Sequence, residues 1–319
     1  MADGDADTYP KHGFRPARNH LRATPAGEYF PGMTFNPDAD VTGSSAKRRG
    51  RGPVIAGGAG FVGIAVVVIS MLTGVDLTGL VGGGSQGSQD PGTAVEGCLT
   101  GQDANEDDVC RLDAGEEVIN SYWADMLGEQ YRAPELVIVD QSTQSACGTA
   151  SNATGPFYCP PEEKVYIDPT FWSIVRQQLG ADAGNLAQLY VLSHEYGHHV
   201  QQLLGIFEQY PREGTGEDSN AVRTELQADC FAGAWVADAA SQKDKNGVSY
   251  MKEPTRQEID DALEAAAAVG DDHIQEQSGQ VNPESWTHGS SEQRQRWFTH
   301  GYEGGWEACD TFAVSGREL

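Results

Sequence analysis

Two histidines one helical turn apart bracket a glutamate in the run His194-Glu195-Tyr196-Gly197-His198. Positions four apart on a helix share a face, with their side chains rooted about 6 Å from each other, so both imidazoles can grip one metal ion. Glu195 lies beside that face, where its carboxylate reaches a metal-activated water without being a ligand itself. The alternative is a polar helix face with coincidental histidines. Leu189, Val191, Leu192, Val200 and Leu203 count against it, because they mark a helix that is mostly buried, and buried polar groups need partners.

Catalytic zinc usually takes three protein ligands and keeps one position for water. Further along, Glu225-Leu226-Gln227-Ala228-Asp229 sets two carboxylates a turn apart beside Cys230, Phe231 and Trp235. Glu225 is the candidate third ligand. Asp229 is the candidate acceptor for the far ring nitrogen of a ligating histidine, a bond that fixes the tautomer. Zn2+ held by His194, His198 and Glu225 would bring the pKa of a bound water towards about 7, with Glu195 as general base for attack on a peptide carbonyl. His199 points about 100° away from His198 around the helix and is expected, like His273, not to be a ligand.

The elements that must position these groups are mostly helices. The patterning predicts helices over 116–127 (Val118, Tyr122 and Met126 four apart), 186–204 with a stop at Gly205, 220–240, 255–269 and 291–302. Thr255 and Glu258 form a capping box for the fourth of these, and Gly270 ends it. Short strands are expected at 136–139 and 164–168, bounded by Pro134 and by Pro160-Pro161. The strand around Val165-Tyr166-Ile167 is a candidate edge for pairing with an extended substrate backbone. The expected fold class is therefore α+β, mainly helical, with a small sheet.

The chain of 319 residues has 21 Lys+Arg against 47 Asp+Glu, a net charge of -26. Residues 1–52 hold eight basic and six acidic side chains, so the remainder carries -28, which disfavours nucleic acid as a partner of the main domain. From Pro53 to Val75 there is no charged residue, and Phe61 to Leu72 is almost continuously apolar, long enough with its flanks for one transmembrane helix. Lys47-Arg48-Arg49-Gly50-Arg51 directly before it places residues 1–52, expected to be a disordered tail, on the cytoplasmic side. Residues 76–96, rich in Gly and Ser, read as a linker. An extracytoplasmic domain then occupies 97–319, so the expected location is the cell membrane, single-pass. All six cysteines (Cys98, Cys110, Cys147, Cys159, Cys230 and Cys309) follow the apolar run, which suggests disulfides. The sequence allows fifteen pairings. Cys98 with Cys110 and Cys147 with Cys159 are favoured as close pairs, leaving Cys230 with Cys309. A cysteine zinc site is the rival, and no CxxC pair supports it.

HEYGHHVQ and ELQADCFAG, with ACGTASNATGPFYCPPEEKVYIDPTFW before them and WTHGSSEQRQRWF after, resemble the neutral zinc metallopeptidase family of bacteria from about Tyr131 to Phe312. The tail before Lys47 does not follow that pattern. The resemblance implies a zincin-like domain and a peptide or protein substrate, without saying which. A wider likeness to HtpX-like and prenyl-protein membrane endopeptidases rests on the interval from His288 to Arg294, although Gly289 stands where those proteins have proline. By that likeness His288 would steady the oxyanion of the tetrahedral intermediate, and Arg294 would brace the motif. Structural roles for both are the alternative. For the whole chain the rival functions are a catalytically silent binding module on the same fold and a membrane protein in which zinc is purely structural. The second fits poorly, since structural sites are usually closed and cysteine-rich.

Overall fold

The computed structural model describes residues 34–50, 92–278 and 281–319. Seven strands are labelled in chain order: β1 (Lys47–Gly50), β2 (Thr93–Ala94), β3 (Glu135–Asp140), β4 (Ser142–Ser145), β5 (Gly148–Ser151), β6 (Phe157–Cys159) and β7 (Lys164–Ile167). The principal helices are α1 (Gly101–Glu106), α2 (Asp108–Leu127), α3 (Asn185–Leu203), α4 (Asn220–Asp238), α5 (Arg256–Ala268), α6 (Asp271–Ser278) and α7 (Ser291–Gly304). The architecture is mixed α+β with helices predominating.

Local chemistry sets the helix boundaries. The Asp107 carboxylate accepts the N–H groups of Val109 and Cys110 and starts α2 at Asp108, eight residues before the start at 116 that the sequence pattern predicts. The Ser219 hydroxyl accepts from Val222 N at the head of α4. Reciprocal capping boxes open α5 at Thr255 and Glu258 and α7 at Ser290 and Gln293. The apolar faces of α2, α3 and α4 meet in one core that includes Val118, Trp123, Leu189, Leu192, Tyr196, Leu226, Phe231 and Trp235. Where α4 crosses α7, glycine lets the backbones touch. A Cβ at Gly233 would fall 2.0 Å from the Phe298 carbonyl oxygen, and one at Gly301 would fall 1.8 Å from that of Cys230.

Five strands form one sheet in the order β2-β1-β3-β7-β6, and β4 and β5 form a separate hairpin. β1, β3 and β7 run parallel, with Lys47 opposite Val137 and Val137 opposite Tyr166, while β2 and β6 are antiparallel to their neighbours. β7 is therefore an interior strand, hydrogen-bonded on both sides. That overturns the expectation that Val165-Tyr166-Ile167 offers a free edge to a peptide, since the ladder positions are already taken by β3 and β6.

A second correction concerns the amino-terminal segment. The predicted disordered tail of residues 1–52 gives way over residues 34–50 to chain that belongs to the fold. Phe35, Ala39 and Val41 are fully buried, and β1 lies inside the sheet. Lys47 to Gly50 of the basic run that reads as a topology signal form this strand. Arg49 points inward at 4 % exposure and pairs with Glu135 at 2.7 Å. Carboxylates of α2 hold the loop before it: Gly43 N donates to Glu117, and Ser44 and Ser45 donate to Glu116. The folded domain thus begins well before residue 97.

The predicted transmembrane segment 53–75 and the linker as far as residue 91 lie outside the described residues. Among the described residues no helix is long and apolar enough to cross a membrane. The cysteines are joined as Cys98–Cys110, Cys147–Cys159 and Cys230–Cys309, the favoured set.

Candidate metal centre

α3 and α4 pack side by side, and their contact faces carry the polar residues that the sequence singles out. Close approach depends on Gly197, where a Cβ would lie 3.1 Å from the Ala228 Cα. His194, His198 and Glu225 are all buried, and one ligand atom from each lies within 4.8 Å of the others. His194 Nε2 stands 3.2 Å from Glu225 Oε2, and His198 Nε2 stands 3.6 Å from Glu225 Oε1. Ligands about 2.0–2.1 Å from a tetrahedral zinc ion are about 3.3 Å from one another, so these separations fit the ion.

The other ring nitrogens support the same conclusion. His194 Nδ1 lies 2.8 Å from Asp229 Oδ1, and His198 Nδ1 lies 2.8 Å from the Gln201 amide oxygen. Both partners only accept, so each Nδ1 carries a proton and each Nε2, facing Glu225, is the nitrogen that would be offered to a metal ion. Gln201 is itself fixed by donating to the Thr224 carbonyl at 2.7 Å.

Asp229 is the hub of a buried network. Besides His194 it accepts from the Tyr190 hydroxyl at 2.5 Å and from Arg294 through two bonds of 2.8 Å, Nε to Oδ2 and Nη2 to Oδ1. Burial penalises charge on His194, Asp229 and Arg294, and their pairing outweighs it, while the Tyr190 hydroxyl is kept protonated by burial. His194 is pushed up to about 9, chiefly by the Asp229 carboxylate, and Asp229 is held below the usual range by Arg294 and His194. Glu225 likewise stays well below the ordinary carboxylate value despite burial, because His198 and Arg212 face it. A divalent cation here takes the place of a proton in a pocket already arranged for positive charge.

Glu195 is 2 % exposed, and among the described residues no hydrogen bond occupies its carboxylate. His288 is 6 % exposed and sits on the loop before α7. The Asp271 carboxylate, at the start of α6, pins that loop. Its Oδ2 accepts the N–H groups of Thr287 (2.7 Å), His288 (2.7 Å) and Gly289 (3.1 Å), and its Oδ1 lies 3.3 Å from His288 Nδ1. A Cβ at Gly289 would lie 3.2 Å from both Val222 and Leu226, so the loop rests on the part of α4 that bears Glu225. A proline could not adopt the φ of +90° that Gly289 takes, which accounts for the departure from the His-Pro pattern.

His199 turns away from the centre, its Nδ1 2.9 Å from the Tyr158 hydroxyl and its Nε2 2.6 Å from the Arg132 carbonyl. Burial lowers its pKa, which keeps it neutral. His273 lies against the Leu179 carbonyl. Sequence reasoning missed Tyr190, Gln201, Arg212 and Asp271. Tyr190 was accessible in principle, since it stands one turn before His194 on the same helix, and so was Gln201, three residues after His198. Nothing local marks Arg212 or Asp271, whose partners are remote in the chain.

Comparison with known proteins places this geometry in context. The profile of the family described as "Putative neutral zinc metallopeptidase" matches residues 37–312, which takes in the amino-terminal segment as well as both site helices. The chain is similar to the uncharacterized protein Rv2575 of Mycobacterium tuberculosis, with 42% identity over 252 residues, 77% of this chain and 86% of the relative. It is similar also to the uncharacterized protein YpfJ of Escherichia coli K12, with 39% identity over 274 residues, 82% of this chain and 88% of that protein. No solved structure matches.

Proposed function

Because the chain belongs to the neutral zinc metallopeptidase family, we propose that it is a zinc-dependent endopeptidase of zincin type, with His194, His198 and Glu225 as ligands and Glu195 as general base. The observation that carries this reading is the convergence of the three ligand atoms within 4.8 Å in a buried site, with an uncommitted carboxylate next to the first ligand in the chain. Held by His194, His198 and Glu225, a zinc ion would supply the chemistry of acidifying a water and polarising the scissile carbonyl.

The remaining tasks fall to the protein. Glu195 takes the proton from the attacking water and returns it to the departing amine. Asp229, braced by Tyr190 and Arg294, holds His194 in its tautomer, and Gln201 does the same for His198. His288, aimed by Asp271, donates to the oxyanion as the carbonyl becomes tetrahedral. The extracytoplasmic side is the proposed location, supported by three disulfides and no free cysteine among the described residues.

The test uses the full chain, zinc-loaded, with casein or a quenched peptide as substrate and bound zinc measured in parallel. In Glu195→Gln the metal should stay and hydrolysis should fall by roughly 10²–10⁴-fold. Zinc retained with hydrolysis undiminished would remove Glu195 as the base. A zinc-loaded parent that cleaves nothing would favour the silent binding module.

A further inference from the structure

Arg212 lies in the loop between α3 and α4, and its Nη2 donates a charge-assisted hydrogen bond to Glu225 Oε1. The loop is held by the two residues directly before that contact. Tyr210 stacks on Phe312 with ring centroids 4.0 Å apart, and the Pro211 carbonyl accepts from Asn220 Nδ2 at 3.1 Å. The guanidinium therefore does not reach Glu225 as a loose surface arm; its side chain is 21 % exposed against 3 % for Glu225.

The two oxygens of Glu225 are not equivalent. Oε2 is the one nearer an imidazole, at 3.2 Å from His194 Nε2, while Oε1 is 3.6 Å from His198 Nε2 and is shared with the arginine. A carboxylate facing a divalent cation can bind through one oxygen or both. Binding through both fills a position that solvent would otherwise take. A cation fixed on Oε1 draws electron density from that atom and repels a second cation approaching it.

We propose that Arg212 is a positioning residue that reserves Oε1 of Glu225, so that the carboxylate meets a metal ion through Oε2 alone and a coordination position stays open. This rests on the zinc-site reading above and adds to it a residue outside the ligand set. An arginine suits the task because its charge is permanent and its planar fork holds direction. Without it, Glu225 closes on the metal with both oxygens.

Cobalt(II) substitution gives a readout independent of turnover, since four-coordinate cobalt absorbs visible light roughly several-fold more strongly than five-coordinate cobalt, and the zinc geometries it mimics change in the same way. The full chain, its Arg212→Ala variant and its Arg212→Lys variant are loaded with Co2+ and their spectra recorded at matched occupancy. Arg212→Ala should lose about half or more of the visible intensity while still binding one equivalent, and Arg212→Lys should lie between it and the parent. Superimposable spectra for the parent and Arg212→Ala would overturn the proposal. A parent that takes up neither Co2+ nor Zn2+ would instead overturn the zinc reading on which it rests.

A different observation carries a second inference. β1 is hydrogen-bonded between β2 and β3, so Gly50, which ends β1, and Gly92, which directly precedes its partner β2, are held close together on either side of the apolar run. Strands pair at about 4.8 Å, whereas the hydrocarbon core of a bilayer is about 30 Å thick. After one full crossing, residues 76–91 would have to return through that core, and their sequence, rich in Gly and Ser with Asp76 and Asp90, lacks the run of about 20 apolar residues that a second crossing needs. We infer that residues 34–50 and the domain beyond residue 92 share one side of any membrane the apolar run touches.

Impermeant maleimide labelling of intact cells decides this. Every cysteine among the described residues is in a disulfide, which keeps the background low. Single cysteines are placed at Asp38 and at Val281, both exposed. Equal labelling of Asp38→Cys and Val281→Cys, whether both before or both after permeabilisation, supports the inference. Labelling of one before and the other only after permeabilisation overturns it.

Discussion

Arg294 and Asp229 meet through two hydrogen bonds of 2.8 Å in a place where both side chains are shut off from solvent. The fork fixes the carboxylate that in turn holds His194. Arg294→Ala leaves the buried Asp229 charge with only His194 and the Tyr190 hydroxyl as partners, and breaking such a buried pair costs about 3–5 kcal/mol. Zinc affinity should fall about 10–100-fold as the histidine loses its brace. Urea denaturation and competitive zinc titration measure the two effects. An unfolding free energy within about 1 kcal/mol of the parent would show that the pair does not carry the helix contact.

Metal should stabilise the fold. At a free zinc concentration of about 100 times Kd, binding contributes about 2.7 kcal/mol. For a domain of this size that raises Tm by roughly 5–10 °C. Chelator should reverse the shift, and His198→Ala should abolish it. Calorimetry of parent and variant with and without zinc checks this, and an equal shift in His198→Ala would place the stabilising metal elsewhere.

The Ser44 hydroxyl lies 2.7 Å from Asp113 Oδ1 and also hydrogen-bonds Glu116 Oε2, but it has a single proton to give. Burial raises Asp113 to about 6 and raises Glu116 as well. A protonated Asp113 then donates to Ser44, which donates to Glu116. Because the folded pKa is above the unfolded one, this contribution is fully present below about pH 4 and is lost as pH rises through about 6. After screening by solvent, the loss amounts to about 1–2 kcal/mol. Asp113→Asn should keep the hydrogen bond and flatten the profile; an unchanged slope between pH 4 and pH 7 would sink the assignment.

Two glycines should respond differently to alanine. At Gly301 the added carbon meets the Cys230 carbonyl at 1.8 Å, so α4 and α7 must separate, at a cost of about 3 kcal/mol or more. At Gly197 the nearest atom is 3.1 Å away, and a shift of a few tenths of an ångström between α3 and α4 suffices. Gly197→Ala should therefore fold, losing about 1 kcal/mol, yet bind zinc more weakly because its helix carries the proposed ligands His194 and His198 and α4 carries Glu225. Thermal melts and zinc titrations of the two variants separate these effects, and comparable stability losses in both would contradict the packing argument.

The parts of the site that were legible in the sequence are those whose geometry is local. His194 and His198 announce their shared face by helical spacing, as do Glu225 and Asp229. The capping box at Thr255 and Glu258 is likewise written within four residues and is present. What the sequence hid depends on partners far along the chain. β1 shows no alternation of apolar and polar residues, and its one inward side chain is an arginine whose counter-ion, Glu135, lies in β3. The interior position of β7 follows from which strands flank it, and no property of KVYI reveals that. Asp271 reads as one acid among many until the loop at 287–289 folds back onto it.

Cys230 directly follows Asp229, and its bond to Cys309 ties α4 to the end of the chain. Arg294, which completes the Asp229 network, also comes late. Residues as far as 309 must therefore have been made, and an oxidant must have joined Cys230 to Cys309, before the carboxylates of α4 are locked opposite the histidines. A copy cut short before Arg294 lacks both of these ties, so its α4 carboxylates stand unbraced.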